Sequence, residues 1–173
     1  VDTEKVKDYL RKISVTQTRY KEGKVGNTSI IRTMAKGQNS VSCSRTLDFV
    51  GHESGTRSVF IMIDDLFERR DSSEFMGWIY DADFEFLNTP EIKQIVLAGP
   101  RCFDYKLRLL IAGISEEVIL CEEDEFKAVD IMDKDIEKLY LLHDTSTYDL
   151  ACKVEEKIVA VFSASQNSKG GEQ

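Results

Sequence analysis

The residues best placed for chemistry are carboxylates at the ends of apolar runs. Asp64 and Asp65 close the run 58–63 (SVFIMI). In open α/β sheets the carboxyl ends of strands form the ligand crevice. Two carboxylates there could bind a cation or orient an imidazole; a solvated loop start, or a cap for the next element, is the plainer use of the same residues. Asp81 and Asp83 flank Ala82 directly after Trp78-Ile79-Tyr80. A carboxylate beside buried aromatics can shift in acidity or hold an imidazole in one tautomer. Asp83, ahead of Phe84-Glu85-Phe86-Leu87, also suits a helix N-cap. His143-Asp144-Thr145 invites a triad reading, but neighbouring side chains point apart. No Ser or Cys stands in a recognisable nucleophile elbow, so His143 is expected to be a loop histidine, and His52 has less context still. Cys43, Cys102, Cys121 and Cys152 form no CxxC pair, so neither a zinc knuckle nor a redox pair is indicated. Cys102 and Cys121 are expected to fill core. No GxGxxG or GxxxxGK[ST] loop is present, and Gly99 precedes Pro100, which lacks the amide a phosphate cradle uses. The chain by itself is not expected to bind ATP or NAD.

These residues need elements to hold them. A helix is expected over 3–13, with Thr3 as cap and Val6, Leu10 and Ile13 on one face. Residues 21–27 (KEGKVGN) read as turn, 29–35 as a strand, 37–44 as a small polar stretch, and 45–50 as the end of a short helix. The run 58–63 is continuously apolar, which suits a parallel strand covered on both faces; a charged loop follows over 66–73. Further strands are expected at 93–98, 118–121 and 138–142. Helices are expected at 101–114 on Leu107, Leu110, Ile111 and Ile114, at 124–132 on Phe126, Val129 and Ile131, and at 145–161 on Leu150, Val154, Ile158 and Val161. Asp144 or Thr145 would cap the last helix. Strand and helix alternating in this way imply βαβ units and a parallel sheet. The fold class is α/β, a three-layer Rossmann-like domain with a mostly parallel sheet over 1–162, and 163–173 is expected to be a disordered tail.

The chain has 173 residues, 42% apolar and 31% charged, which gives a globular composition with room for one domain. With 23 Lys and Arg against 31 Asp and Glu, its net charge is −8. Without a basic cluster this disfavours nucleic acid and anionic membrane surfaces, and no apolar run approaches the ~20 residues of a transmembrane segment. Residues 116–137 carry ten carboxylates against Lys127 and Lys134. They read first as a solvated face, or more sharply as a surface for a basic partner. Scattered cysteines fit a reducing cytoplasm. Opening on Val1-Asp2-Thr3, the chain is expected to be a piece of a longer protein.

Residues 77–85 (GWIYDADFE) resemble the run SWIWDxDFE in the C-terminal domain of the Mur-ligase-like (MurT) subunits of lipid II isoglutaminyl synthases. Residues 98–114 (AGPRCFDYKLRLLIAGI) look like that family's xGxRxxDxxLRLxYAG segment. Upstream, Thr18-Arg19-Tyr20-Lys21-Glu22 is similar to the family's GRxE, and Met34-Ala35-Lys36 stands where the family has LxKNPxGxN. The resemblance runs from about Arg19 to Val161 and implies a Mur ligase C-terminal-type fold. It implies a parent that uses ATP and Mg to amidate the stem-peptide D-glutamate of lipid II in peptidoglycan biosynthesis. The ammonia would come from a class I glutaminase partner bearing a Cys-His pair. In this setting the domain closes the active site and contacts the glutaminase, whose triad an acidic loop residue is thought to complete. Asp81, Asp83 and Asp71 are the residues implied for that role, with Asp64 and Asp65 behind them. Lys36 and Arg19 are implied contacts to the substrate side. The ATP-binding P-loop domain is missing from this stretch, so no cofactor is expected on it. Two departures matter. Gly37-Gln38-Asn39 replaces the family's Asn-Pro, and only Asp64, Asp65 or Asp71 can stand in for its NDNxADGxD loop. A non-catalytic interaction domain that keeps the fold is therefore the alternative. A free small-molecule binding module would need a closed apolar pocket at the strand ends.

Overall fold

The run 58–63 becomes the strand β3 (Arg57–Met62), every residue of which is buried. Its neighbours in the computed structural model are parallel, β6 (Lys138–His143) on one side and β4 (Ile92–Ala98) on the other. The structure describes Lys5 and residues 18–63 and 76–169. The helix expected over 3–13 (Lys5 apart), the loop 66–73, and Asp64, Asp65 and Asp71 lie outside the described residues. The remaining strands are β1 (Tyr20–Val25), β2 (Thr28–Met34) and β5 (Ile119–Glu122). The six-stranded sheet has the order β1-β2-β6-β3-β4-β5, parallel except for β1.

Side chains alternate across the buried strands, so each strand feeds two cores. Val59, Ile61 and Ile63 join Tyr140, Leu142, Ile95 and Leu97 on one face, under α1 (Ser40–His52) and α2 (Cys102–Ile111). Phe60, Met62, Leu139, Leu141 and Val96 point the other way, under α3 (Glu125–Ile131) and α4 (Tyr148–Lys169). Helices on both faces of a mostly parallel sheet make the three-layer Rossmann-like architecture expected from the alternation. Among the described residues no helix is long and apolar enough to cross a membrane.

Several local expectations are corrected. Of residues 21–27 only Gly26 and Asn27 turn: residues 21–25 belong to β1, which pairs antiparallel with β2 through backbone bonds, and Gly26 at φ 55° reverses the chain. Helix α1 begins inside the small polar stretch, because Asn39 Oδ1 accepts the Ser42 amide at 2.9 Å and caps it. In α2 the inward residues are Cys102, Tyr105, Arg108 and Leu109, whereas Leu107, Leu110 and Ile111 are exposed. In α3 Val129 is buried but Phe126 and Ile131 are exposed. Helix α4 packs through Ala151, Val154, Ile158 and Phe162. It extends to Lys169, through much of the stretch expected to be a disordered tail. There Ser163 and Ser165 donate their hydroxyls to the carbonyls of Val159 and Val161, four residues back, so these small polar residues are satisfied within the helix.

The ends of elements are held by buried cations. Arg57 donates Nη1 to the carbonyls of Glu53 and, at 2.7 Å, Gly55, and Nη2 to Gly51 at 3.0 Å. It thereby satisfies carbonyls at the C-terminus of α1. Arg32 on β2 pairs with Glu155 on α4 at 2.7 Å and lies over the Tyr148 ring. Lys21 on β1 reaches the other oxygen of Glu155 at 2.7 Å. This network fixes α4 against the β1–β2 hairpin.

Candidate functional site

The segment 77–87 folds as two short 3₁₀ turns, Gly77–Asp81 and Phe84–Leu87. Its composition dictates which way each residue faces. Trp78, Ile79, Ala82, Phe84 and Leu87 are buried, while Tyr80, Asp81 and Asp83 are exposed. Trp78 and Phe84 both pack edge-on against Tyr105 of α2, with ring centroids 6.5 and 5.9 Å away. Asp83 occupies the cap position of the second turn, yet its side chain makes no capping bond. Its amide instead donates to Ser44 Oγ of α1 at 2.9 Å. Both carboxylates are thus left facing outward.

The segment is locked by one buried side chain. Arg108 donates Nε to the Ile79 carbonyl at 3.0 Å and Nη2 to the Ala82 carbonyl at 2.7 Å. Nη2 also reaches both oxygens of Glu85, at 2.7 and 2.9 Å, and the guanidinium lies over the Phe84 ring. The bond from Arg108 holds the Glu85 carboxyl below its ordinary value. The carbonyls bracketing Asp81 therefore share one donor, and the loop's shape depends on a residue more than twenty positions downstream. Nothing in a pattern of polarity signals this role; Arg108 reads as a solvated helix residue.

Asp81 and Asp83 come together with Ser44, Arg45 and Asp48 of α1 around a cavity of about 280 Å³. The other sequence-selected pair forms a separate site. Arg19 and Lys36 line a cavity of about 140 Å³ with Ser42 and Thr145. They meet because the Met34 amide donates to the Arg19 carbonyl at 2.9 Å, which closes the hairpin at that end. Gly37 lies close against the crevice wall: a Cβ there would displace the Asp144 carboxylate and press on Ile63. This meeting of β2, β3 and β6 at their carboxyl ends is the crevice where open α/β sheets place ligands. Helix α1 separates the two sites, with Ser42 toward the cations and Ser44, Arg45 and Asp48 toward the carboxylates.

The remaining sequence candidates have structural roles. His143 is fully buried, and its Nδ1 donates to the Asp144 backbone carbonyl at 2.7 Å, not to a carboxylate. Asp144 instead accepts the Ser146 amide and hydroxyl ahead of α4. His143 is therefore a core histidine and no triad member, and burial depresses its basicity. The thiols of Cys43 and Cys102 are pushed by burial up to about 12 and about 11, which leaves them protonated and unreactive. Among the described residues no three His, Cys, Asp or Glu side chains form a metal set.

Residues 37–148 match the model of the family described as MurT ligase C-terminal. Two curated proteins are similar: the lipid II isoglutaminyl synthase (glutamine-hydrolyzing) subunit MurT of Staphylococcus aureus strains COL and N315. Each is 37% identical over 81 residues, which is 46% of this chain and 17% of the relative. The match thus spans less than a fifth of the relatives' length.

Proposed function

The chain belongs to the MurT ligase C-terminal family, and from that premise we propose that it is the C-terminal domain of an ATP-dependent amide-forming Mur ligase-type subunit. The parent amidates the stem-peptide D-glutamate of lipid II, in the cytoplasm, with ammonia released from glutamine. The domain closes the synthetase site and contacts a class I glutaminase subunit. ATP and Mg belong to other parts of the parent. The S. aureus relatives support this reading, since each is the MurT subunit of a glutamine-hydrolysing lipid II isoglutaminyl synthase.

One observation carries the site assignment: Asp81 and Asp83 face outward from a segment whose carbonyls Arg108 pins. A fixed, outward carboxylate can accept the Nδ1 proton of an incoming imidazole, which sets its tautomer and stabilises the imidazolium. Asp71, Asp64 and Asp65 stay secondary contributors under this proposal. Lys36 and Arg19, two cations in one crevice, face the substrate-bearing domain and suit an anionic group there.

In the complex of full-length parent and glutaminase, Asp81→Asn or Asp83→Asn lowers glutamine hydrolysis by about 10³-fold or more while the two subunits still co-elute. Hydrolysis unchanged in Asp81→Asn, Asp83→Asn and Asp71→Asn alike removes the assignment. A second reading, an interaction domain without chemistry, is favoured by Gly37-Gln38-Asn39 in place of the family's Asn-Pro. It requires a complex that assembles but forms no amide with the native sequence.

A further inference from the structure

The outer edge of β1 is open. Strand β1 stands first in the sheet order, so β2 pairs with one side of it and, among the described residues, no strand pairs with the other. The Met34 amide bonds the Arg19 carbonyl, and opposed residues of an antiparallel ladder alternate between bonded and non-bonded pairs. Counting on from Arg19, residues Lys21, Gly23 and Val25 direct their backbone groups at β2, whereas Tyr20, Glu22 and Lys24 direct theirs outward. Proteins blunt such an edge with a proline, a bulge, a cover or lysines. Strand β1 holds no proline, pairs with β2 residue for residue without a bulge, and is exposed from Lys21 to Lys24. Of its two lysines, Lys21 is drawn onto Glu155 of α4 at 2.7 Å. Tyr20, Glu22 and Lys24 share the opposite face, where the Tyr20 hydroxyl donates to Glu22 at 3.0 Å.

A glycine stands in the middle of this edge. Glycine inside a strand weakens it, and often marks a place where another backbone comes close. Nothing among the described residues calls for one at Gly23. Its φ is not positive, and an added Cβ would meet no described atom within 4 Å.

We propose that β1 pairs antiparallel with β1 of a second copy of this chain, about a two-fold axis at Gly23. In that register Glu22 stands opposite Lys24 of the second copy, and Lys24 opposite its Glu22, both pairs on one face. The outward N–H and C=O groups of these residues bond across the axis. The two glycines meet on it, where side chains would crowd. Charge selects this register, because like charges directly opposed are destabilising. Centring the pair on residues 20, 21, 22 or 24 instead opposes Arg19 to Lys21, Lys21 to Lys21, Glu22 to Glu22 or Lys24 to Lys24. Centring it on Val25 runs past the turn and leaves Glu22 unpaired. The interface is self-complementary and closes at two copies. It joins the two sheets into one and turns the two crevices to opposite rims, so neither obstructs the other. So short an interface gives a monomer–dimer equilibrium and not a permanent dimer. The inference rests on the fold of this chain and not on its family.

The test is sedimentation equilibrium of the full chain over a concentration series reaching millimolar protein. The wild-type mass rises toward twice that of the monomer, and the Glu22 and Lys24 amides slow in hydrogen exchange as the dimer fills. Glu22→Lys and Lys24→Glu each keep the far-UV dichroism and thermal midpoint, because both side chains are exposed, and each dimerises about tenfold or more weakly. Removing negative charge in Glu22→Lys would by itself ease repulsion between copies that carry −8, so weakening there reports the register. Mixed in equal amounts, the two variants regain the wild-type association, since every lysine then faces a glutamate. Gly23→Val keeps the monomer fold and loses the dimer. A chain that stays monomeric throughout the series overturns the proposal, as does a dimer that both charge variants leave unchanged. Glu22 and Lys24 amides already protected in the dilute monomer assign this edge to another segment and overturn it too.

Discussion

At the residue scale Arg108 has the largest influence. It fills a buried position, donates to two backbone carbonyls and pairs with Glu85. Arg108→Met keeps the aliphatic stem and removes every donor, which leaves the Ile79 and Ala82 carbonyls only the local amides of Ala82 and Phe84 and leaves Glu85 without its cation. The expected cost is about 3 kcal/mol, read as a lower urea midpoint. Glutamine hydrolysis in the full complex should fall with it, although Arg108 touches no substrate. An unchanged midpoint would remove the role given to the lock. His143 supplies a pH signature. Its neighbours are Arg32 on β2, Tyr148 and Glu155 on α4, and Asp144 beside it. Burial lowers its folded pKa below the ordinary 6.5, so the unfolded chain protonates first as pH falls. The contribution is complete above about pH 6.5 and declines as pH drops toward the lower folded value. Chemical unfolding from pH 7.5 to 5 should show this slope in the wild type and lose it in His143→Gln. Asp81 and Asp83 were legible as outward residues because apolar Trp78, Ile79, Ala82 and Phe84 alternate around them. Arg108 and Ser44 were not, since what they do is donate to or accept from backbone, and side-chain types do not announce that.

At the element scale the closest contact joins α1 to the second 3₁₀ turn. A Cβ on Gly51 would stand 2.1 Å from the Phe86 carbonyl oxygen and 3.0 Å from its carbon. Backbone cannot give way as a flexible side chain can. Gly51→Ala should therefore push the turn off α1 at a cost of about 1–3 kcal/mol, a fall in Tm of roughly 3–10 °C. A midpoint within 1 °C of wild type would count against this packing. Elements buried on two faces were readable: β3 and β4 are near-continuous apolar runs, and both were placed to within a residue or two. The edge strand β1 was not, because its side chains are mostly solvated and backbone pairing alone defines it. Helix α2 misled for a different reason. Periodicity selects the stripe richest in Leu and Ile, and here that stripe faces water while Cys102, Tyr105 and Arg108 face the core.

At the scale of the whole molecule, sheet order follows from the crossovers. The chain leaves β2 through α1 to β3, then returns through α3 to lay β6 between them. Alternation of elements announced a parallel sheet but not this insertion, which depends on contacts remote in sequence. The convergence of Arg19 with Lys36 has the same origin: the resemblance selects each residue separately, and only the fold brings them to one cavity. Pro100 interrupts the glycine turn that follows β4 and removes an amide a phosphate cradle would use there. Titrating MgATP into the chain should accordingly give no saturable heat, and micromolar binding would reassign the domain.

The reversed first strand has a mechanical corollary. Five strands point their carboxyl ends to one rim of the sheet; β1 alone points its amino end there, so Thr18 and Arg19 enter the hairpin at that rim and not at the far side. Arg19 thus stands at the entry to the hairpin, tied by its carbonyl to the Met34 amide and sharing a small cavity with Lys36, so a substitution that loosens the first strand also loosens the cationic pair.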